Sequence, residues 1–185
     1  MKKIAVFCSA SVRIDPKYNE AARKLTRGLH AKGYGLVSGG GKIGTMGAIT
    51  DESVKCGGDH TAVLPEFMRG LENPAVSRVI WTDSMASRKA AMREGTVAAI
   101  ALPGGIGTMD EFTETHTLRK LSKYAGDLYA LNLDGFYNPL KALLDHFVET
   151  GMLEPRDRAL VKFPETVEEL LEYFCLLYTS DAADE

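Results

Sequence analysis

Short apolar runs alternate along the chain with longer segments in which apolar residues recur every three or four positions. Runs of the first kind, such as Ile4–Cys8 and Val97–Ala101, carry no charge and are typical of strands buried on both faces. Segments of the second kind predict amphipathic helices. In the first of them, the apolar residues share one face between a helix N-cap at Asp15 and a glycine stop at Gly33.

This alternation indicates an α/β fold with a doubly wound parallel sheet, because parallel strands need helical crossovers of this length. No internal repeat or low-complexity linker divides the chain, so we expect a single domain over residues 1–174. The predicted strands are 4–8, 34–37, 60–64, 78–81, 97–101 and 128–133. The predicted helices lie within 15–33 and at 45–55, 84–94, 109–123 and 139–150, and the segments 160–163 and 167–174 complete the alternation.

Two segments depart from the pattern. Residues 65–74 have a mixed composition and predict a mobile loop between the third and fourth strands. Residues 175–185 end in small and acidic residues and show no helical stripe past Leu177, which indicates a non-native or disordered tail without a function.

The segment Leu102–Glu111, which follows the strand at 97–101, carries the strongest chemical signal. Three glycines within four residues allow a tight turn whose N–H groups come close to a ligand. They are Gly104, Gly105 and Gly107. The helix that begins here offers an anion its partly positive N-terminus and the hydroxyl of Thr108, and Glu111 lies one turn further on. Phosphate donors beside an acid suggest chemistry on a phosphorylated sugar.

A second glycine cluster follows the strand at 34–37. Its members are Gly39, Gly40, Gly41 and Gly44. They match G-x-G-x-x-G, but the dinucleotide fingerprint belongs in the first strand–helix turn, and Asp59 precedes the strand that it would have to end. Ile43 stands where a P-loop has Ser or Thr. Either the glycines only permit tight strand–helix packing, or both clusters cradle one phosphate at the carboxyl ends of parallel strands.

Arg88 lies near the apolar face of the helix predicted at 84–94, whereas Lys89 is turned about 100° onward. An arginine beside an apolar stripe must either extend its guanidinium to solvent or meet a carboxylate or phosphate. The histidines show no metal-ligand spacing, and His116 is the one that neighbours the proposed site.

Composition narrows the functional classes. The chain has 185 residues, 25% of them charged, and a net charge of −3 without a Lys/Arg stripe, which argues against a nucleic-acid surface. No apolar run approaches the roughly 20 residues needed to cross a bilayer. Three widely spaced cysteines exclude a disulfide framework and have no metal spacing, so we expect a cytoplasmic protein.

Three motifs together resemble the LOG family, the cytokinin riboside 5′-monophosphate phosphoribohydrolases, which are often mislabelled lysine decarboxylases. The motifs are Gly39-Gly40-Gly41…Gly44…Met46-Gly47, Arg88-Lys89…Met92 and Pro103-Gly104-Gly105-x-Gly107-Thr108-x-x-Glu111-x-x-Glu114. The likeness covers nearly the whole chain to about Phe174. It implies a Rossmann-like fold, a homodimer, and hydrolysis of the N-glycosidic bond of a nucleoside 5′-monophosphate to free base and ribose 5-phosphate, without a cofactor.

Transferred residue by residue, the resemblance implies that Arg88 and Glu111 are the catalytic pair. It also implies nucleotide contacts around them, at Lys89, Gly105, Ile106, Gly107, Thr108, Met109, Asp110, Glu111 and Thr117. From the residues themselves we add Gly40, Gly41, Gly44 and Gly104 as phosphate contacts, and Glu114, which is expected to hold Arg88 or a ribose hydroxyl.

The chain departs from the family pattern at several positions. Ala86 stands where the family usually has histidine, Leu118 where tryptophan is common, and Ser122 where the family has glycine. A substrate-binding glutamate of the family falls in the 66–77 segment, where Glu66 and Glu72 are both candidates. These changes leave the phosphate and ribose chemistry in place and leave open whether the substrate is a cytokinin riboside monophosphate or AMP.

The sequence leaves one alternative function and predicts one assembly. The alternative is a non-catalytic carrier of a nucleotide or of the molybdenum cofactor, although a carrier has no need of an acid beside a sugar carbon. The homodimer that the resemblance implies is also favoured by three apolar residues near the site helices, Met85, Met92 and Leu118. We expect no nucleic-acid and no membrane partner.

Overall fold

The computed structural model describes residues 1–180, with side chains up to residue 174. Its strands are β1 (Lys3–Phe7), β2 (Gly35–Ser38), β3 (His60–Pro65), β4 (Arg78–Thr82), β5 (Thr96–Ala101), β6 (Asp127–Ala130) and β7 (Val161–Lys162). Its helices are α1 (Pro16–Ala31), α2 (Gly44–Lys55), α3 (Met85–Arg93), α4 (Ile106–Lys120), α5 (Asn138–Glu149), α6 (Pro155–Arg158) and α7 (Val167–Ser180).

The strands form one sheet in the order β4-β3-β2-β1-β5-β6-β7, and every neighbouring pair is parallel. The chain starts in the middle at β1, moves outward to β4, and returns to the other side of β1 with β5. This confirms the predicted doubly wound α/β fold. The order reverses between β1 and β5, where open α/β sheets bind ligands beyond the carboxyl ends of the strands.

Consecutive side chains of a strand point to opposite faces of the sheet, and apolar clusters cover both faces. In β1, Ile4 and Val6 pack into one apolar cluster together with α1 and α7. Ala5 and Phe7 pack into a second cluster on the other face, which includes Met92 of α3 and Phe112 of α4. The second cluster therefore anchors α3 and α4, the two helices that carry Arg88 and Glu111.

Some element boundaries differ from the sequence prediction. The short helix α6 was not predicted, and α4 begins at Ile106, three residues before the predicted start. Strand β6 ends at Ala130, after which residues 133–135 form a 3₁₀ turn. The expected mobile loop at 65–74 is ordered locally, since Pro65 closes β3 and residues 66–68 form another 3₁₀ turn.

Within residues 1–180, no helix is both long and apolar enough to cross a membrane. Helix α7 continues past the predicted domain boundary at 174 to Ser180. The remainder of the expected tail, residues 181–185, lies outside the described residues.

Candidate active site

The motif segments converge at the carboxyl edge of the sheet. The glycine cluster at 39–44 follows β2, the glycine loop at 102–105 follows β5, and residues 8–15 follow β1 between them. The β1 loop touches the glycine cluster directly, because a Cβ on Gly44 would lie 2.7 Å from the carbonyl oxygen of Ser11. The two glycine clusters thus flank the point where the strand order reverses.

Arg88 and Glu111 meet here as a buried ion pair. The Nη1 atom of Arg88 donates to Oε1 of Glu111 at 2.7 Å, and its Nε donates to the carbonyl of Val63 at 3.0 Å. Only 6% of Arg88 and 4% of Glu111 is exposed. The guanidinium therefore meets a carboxylate and does not extend to solvent, which decides between the two alternatives that the sequence left.

The local sequence explains how Arg88 comes to face inward. Ser84 caps α3 in a capping box with Ser87, and each side chain bonds the other's backbone N–H. The cap fixes where the helix starts, and Met92, one turn beyond Arg88, is anchored in the core with no exposed surface. Gly39 leaves room for the guanidinium, since a Cβ there would lie 2.5 Å from Nη2 of Arg88.

Burial raises the pKa of the Glu111 carboxyl above its ordinary value of 4.5, although the charge and hydrogen bond of Arg88 oppose the shift. A carboxylate with a raised pKa is a better proton acceptor near neutral pH than an exposed one. The buried thiol of Cys8 lies close enough to feel this pair. Burial, followed by the Glu111 charge, raises the pKa of Cys8, so the thiol stays neutral.

A second charged cluster lies beside the buried pair, at the surface between α3 and α4. The Nζ atom of Lys89 lies 2.9 Å from Asp110 and 2.5 Å from Glu114. Arg93 donates to the other oxygen of Glu114 at 2.9 Å. The structure thus pairs Glu114 with Lys89 and Arg93. The structure does not pair Glu114 with Arg88, because Glu111 takes that position, and a contact of Glu114 with a ribose hydroxyl stays a prediction.

The charges in this second cluster set one another's pKa. Desolvation alone would raise the pKa of Glu114, but the bonds and charges of Lys89 and Arg93 outweigh it and lower that pKa. The hydrogen bonds of Glu114 and Asp110 raise the pKa of Lys89. Lys89 therefore remains cationic, and Glu114 remains ionised, over the whole neutral pH range.

The first turn of α4 has the features of an anion site. Its N-cap is Gly105, no side chain caps it, and its first turn contains no acid. The buried Thr108 fits only because residue 104 is glycine, since a Cβ there would lie 2.2 Å from the Thr108 hydroxyl oxygen. A Cβ on Gly105 or Gly107 would face open space.

The remaining predicted contacts in α4 are spread around the helix. Ile106 is 88% exposed, Asp110 is exposed beside Lys89, and Met109 packs against the second apolar cluster. Thr117 is also exposed, six residues beyond Glu111, and its hydroxyl donates to the carbonyl of Thr113 at 3.0 Å. The structure therefore brings Thr108 and Asp110 next to the buried pair along one helix, with Thr117 further out.

The glycines after β2 serve packing as well as the site. Gly40 has a left-handed backbone with φ of 66°, and a Cβ on it would lie 2.2 Å from the Cβ of Ala62. Gly44 is also left-handed, with φ of 62°. The packing interpretation therefore accounts for Gly40 and Gly44, and any part of the cluster in phosphate binding stays a prediction.

The 66–77 segment packs onto this glycine cluster. The N–H of Asn73 donates to the carbonyl of Gly40 at 2.8 Å, and Glu72 forms an antiparallel bridge with Gly41. Glu66 instead pairs with Arg69 on the exposed side of the segment. Of the two glutamates that the sequence left open, Glu72 is the one that the structure places against the glycine cluster.

A cavity of about 160 Å³ lies between the glycine cluster, α2, β3 and the 66–77 segment, with Arg88 in its wall. Its apolar lining consists mainly of Met46, Leu64, Met68 and Leu71. Sequence reasoning missed Met68 and Leu71, because the segment that carries them has no helical or strand period. Their only signal was the apolar character of residues in an otherwise mixed segment.

His116 is not part of the site. Its Nε2 atom lies 2.8 Å from the backbone carbonyl of Asp157, and its ring is buried. Among the residues that the structure describes, no group of His, Cys, Asp and Glu side chains could hold a metal ion.

Comparison with known proteins gives the family. The family model described as "Possible lysine decarboxylase" matches residues 46–174. A probable cytokinin riboside 5′-monophosphate phosphoribohydrolase from Oryza sativa subsp. japonica is 36% identical over 174 residues, covering 92% of this chain and 71% of that protein. A cytokinin riboside 5′-monophosphate phosphoribohydrolase from Arabidopsis thaliana is also 36% identical, covering 92% of this chain and 80% of that protein. The chain belongs to the LOG family.

The fold is shared more widely than the family. The solved structure of the molybdenum cofactor carrier protein from Chlamydomonas reinhardtii superposes with a TM-score of 0.73 and covers 96% of this chain and 98% of its own. Its sequence is only 19% identical, so the likeness shows a common Rossmann-like architecture and nothing about the ligand.

Proposed function

We propose that this protein hydrolyses the N-glycosidic bond of a nucleoside 5′-monophosphate to free base and ribose 5-phosphate. The observation that carries the proposal is the buried Arg88–Glu111 pair. Glu111 lies near an uncapped helix N-terminus, and Arg88 lines an apolar cavity. The family supports it, since the curated relatives are named for this reaction on cytokinin riboside 5′-monophosphates.

The substrate phosphate is assigned to the start of α4. The free N–H groups of its first turn and the positive end of the helix dipole favour a dianion there. Lys89 adds a cation at the mouth of the crevice, although Asp110 and Glu114 already neutralise much of its charge. The helix N-terminus is therefore the main phosphate donor in this proposal, and the β2 glycine cluster is a secondary one.

Glu111 acts at the sugar carbon C1′. Cleavage of the C1′–N bond develops positive charge on the ribose and negative charge on the leaving base, as in glycoside hydrolysis. The Glu111 carboxylate stabilises the cationic ring or takes a proton from the attacking water, whose oxygen forms the new bond to C1′. Such fixed charges in a site with little water are among the largest contributions to catalysis.

Arg88 acts on the leaving group. A guanidinium cannot readily give up a proton, so Arg88 stabilises negative charge on the base as the C1′–N bond breaks, and the freed base takes up the proton that the attacking water releases. Its position supports this role, because it both bonds Glu111 and lines the cavity formed by Met46, Met68 and Leu71. The base is assigned to this cavity, where apolar contacts hold it. All the groups that this reaction requires are side chains and backbone of the protein, without a cofactor.

We also propose a homodimer in the cytoplasm. Two of the residues that favoured a dimer do not form a free surface, since Met92 is fully buried and Leu118 packs against the core, while Met85 is 41% exposed. Leu143 and Phe147, four residues apart on α5, expose 48% and 37% of their surface and offer a different apolar face for a second subunit. Light scattering of the purified protein tests this, and a monomer with full activity at nanomolar concentration would contradict it.

The reaction is tested by incubating the protein with AMP and with isopentenyladenosine 5′-monophosphate and separating the products by chromatography. We expect free base and ribose 5-phosphate in equal amounts, and the ratio of the two rates gives the preferred base. Tight binding of both nucleotides without release of base from either would instead identify a nucleotide carrier. Activity on both nucleotides at equal rates would identify a general nucleoside monophosphate hydrolase.

A further inference from the structure

Ser38 forms a hydrogen-bonded bridge beneath the glycine cluster. It is the last residue of β2, and its Oγ lies 2.8 Å from Nε2 of His60 at the start of β3. The same oxygen accepts the backbone N–H of Gly40 at 3.1 Å. Ser38 and His60 have no exposed surface, so no water competes for these bonds.

The backbone of Gly40 is thereby held at both its N–H and its carbonyl group. Its N–H is fixed by Ser38, and its carbonyl accepts the N–H of Asn73 at 2.8 Å. The neighbours of Gly40 in the chain, Gly39 and Gly41, line the same cavity as Arg88. Because the backbone of Gly40 is left-handed, a rotation of its peptide would move both neighbours and would change the cavity wall.

His60 is costly to bury. Its Nδ1 atom has no hydrogen-bond partner among the described residues. Burial lowers its pKa from 6.5 to about 4, with the nearby His30 adding to the effect and Asp59 opposing it. The ring is therefore neutral at physiological pH and makes one side-chain hydrogen bond, to Ser38. An apolar residue would avoid the cost of the unpaired nitrogen, so the contact with Ser38 is what the histidine contributes.

We propose that Ser38 and His60 are positioning residues for the substrate cavity: the imidazole orients the Ser38 hydroxyl, and the hydroxyl fixes the Gly40 peptide in the conformation that binds the nucleotide. This inference rests on the proposed function for the identity of the ligand. Neither residue touches the reacting atoms in this arrangement, so their loss should weaken substrate binding more than the chemical step.

The chain contains a matched control. Ser53 is 1% exposed, and its Oγ lies 2.9 Å from Nε2 of His30, but this pair joins α1 to α2 and does not touch the glycine cluster. Ser38→Ala and Ser53→Ala therefore remove the same chemical group from two equally buried serines, each bonded to a histidine, although His30 is only partly buried. We expect Ser38→Ala to raise KM for AMP about tenfold with kcat changed less than about threefold, because one buried hydrogen bond is lost. Ser53→Ala should leave KM unchanged while lowering the melting temperature.

A second pair of variants tests His60 itself. His60→Gln places an amide near the former Nε2 atom and should keep KM within about twofold of wild type, whereas His60→Leu removes the bond and should raise KM about as much as Ser38→Ala. Equal KM changes in Ser38→Ala and Ser53→Ala, or equal KM values for His60→Gln and His60→Leu, would overturn the positioning role. If Ser38→Ala does not fold, the two His60 variants decide.

Calorimetric binding of AMP separates this inference from the proposed reaction. A wild-type protein that binds AMP and isopentenyladenosine 5′-monophosphate but hydrolyses neither would contradict the proposed function. In that case, the AMP dissociation constants of Ser38→Ala and Ser53→Ala still test the positioning role. If the wild-type enzyme hydrolyses its substrate and Ser38→Ala has the wild-type KM and AMP dissociation constant, only the positioning role is contradicted.

Discussion

Arg88 and Glu111 form a buried ion pair, with Nη1 of Arg88 2.7 Å from Oε1 of Glu111. Each charge makes the burial of the other tolerable, since an unpaired buried charge costs several kcal/mol. The pair also joins α3 to α4 at the point where the ligand crevice of this fold is expected. Substrate that enters the crevice therefore meets two charges that are already desolvated and fixed.

Replacing Glu111 by Gln keeps the size of the side chain and removes its charge. If the carboxylate stabilises a cationic transition state, kcat should fall by about 10²-fold or more, because the interaction strengthens as charge develops on the ribose. The dissociation constant for AMP should change much less, since the start of α4 remains intact. Glu149→Gln, on the exposed surface of α5, is the control and should match wild type. Near-normal turnover in a folded Glu111→Gln protein would show that Glu111 does not act in the chemical step.

The pH dependence of kcat/KM should contain an acidic limb that belongs to Glu111. Burial raises the pKa of this carboxyl, so its ionised form is lost at a higher pH than for an exposed glutamate as the solution is acidified. We expect the rate to fall with decreasing pH through a pKa above 4.5. The profile of Glu111→Gln should lack this limb, and an unchanged limb in that variant would assign it to another group.

Removing the 5′-phosphate should abolish most of the activity. The first turn of α4 has no capping side chain and no acid, so its N–H groups can bind an anion. We expect kcat/KM for adenosine to be at least about 100-fold below that for AMP, which corresponds to roughly 2.7 kcal/mol. Equal values for the two substrates would remove the phosphate site from the proposed mechanism.

Two glycine-to-alanine substitutions should have opposite effects on stability. Gly40→Ala places a Cβ 2.2 Å from that of Ala62 on a backbone with φ of 66°, and should lower the free energy of unfolding by about 2–5 kcal/mol. Gly107→Ala meets open space in a helix and should raise it by about 0.4–1 kcal/mol. Urea unfolding measures both, and similar stabilities for the two variants would show that Gly40 is not constrained.

His60 should make the protein less stable in mild acid. Its pKa is 6.5 in the unfolded chain and about 4 in the fold, so below pH 6.5 the unfolded state binds a proton that the folded state does not. The free energy of unfolding should therefore fall by about 3 kcal/mol from this group as pH drops from 6.5 to 4. Urea unfolding at pH 7 and pH 4.5 should show a smaller fall in His60→Gln than in wild type. An equal fall would assign the acid sensitivity to other groups.

The sequence by itself determined the fold class and predicted where the chemistry lies. Uncharged apolar runs such as Val97–Ala101 bury both faces of a strand, and the helical segments between them force parallel crossovers, so local pattern sufficed for the doubly wound sheet. The glycine loop before α4 and Glu111 lie within a few residues of each other in the chain. Their spacing was enough to predict a phosphate site next to Glu111.

The tertiary structure decided which side chains pair. Arg88 and Glu111 are 23 residues apart, and only the packing of α3 and α4 on one face of the sheet buries Arg88 against Glu111 and directs Lys89 to Glu114. The 66–77 segment shows no helical or strand periodicity of apolar residues. Its packing against Gly40 and Gly41 depends on hydrogen bonds between parts of the chain that are about 30 residues apart. Periodicity reports which face of an element is buried, whereas the partner on that face depends on which other element covers it.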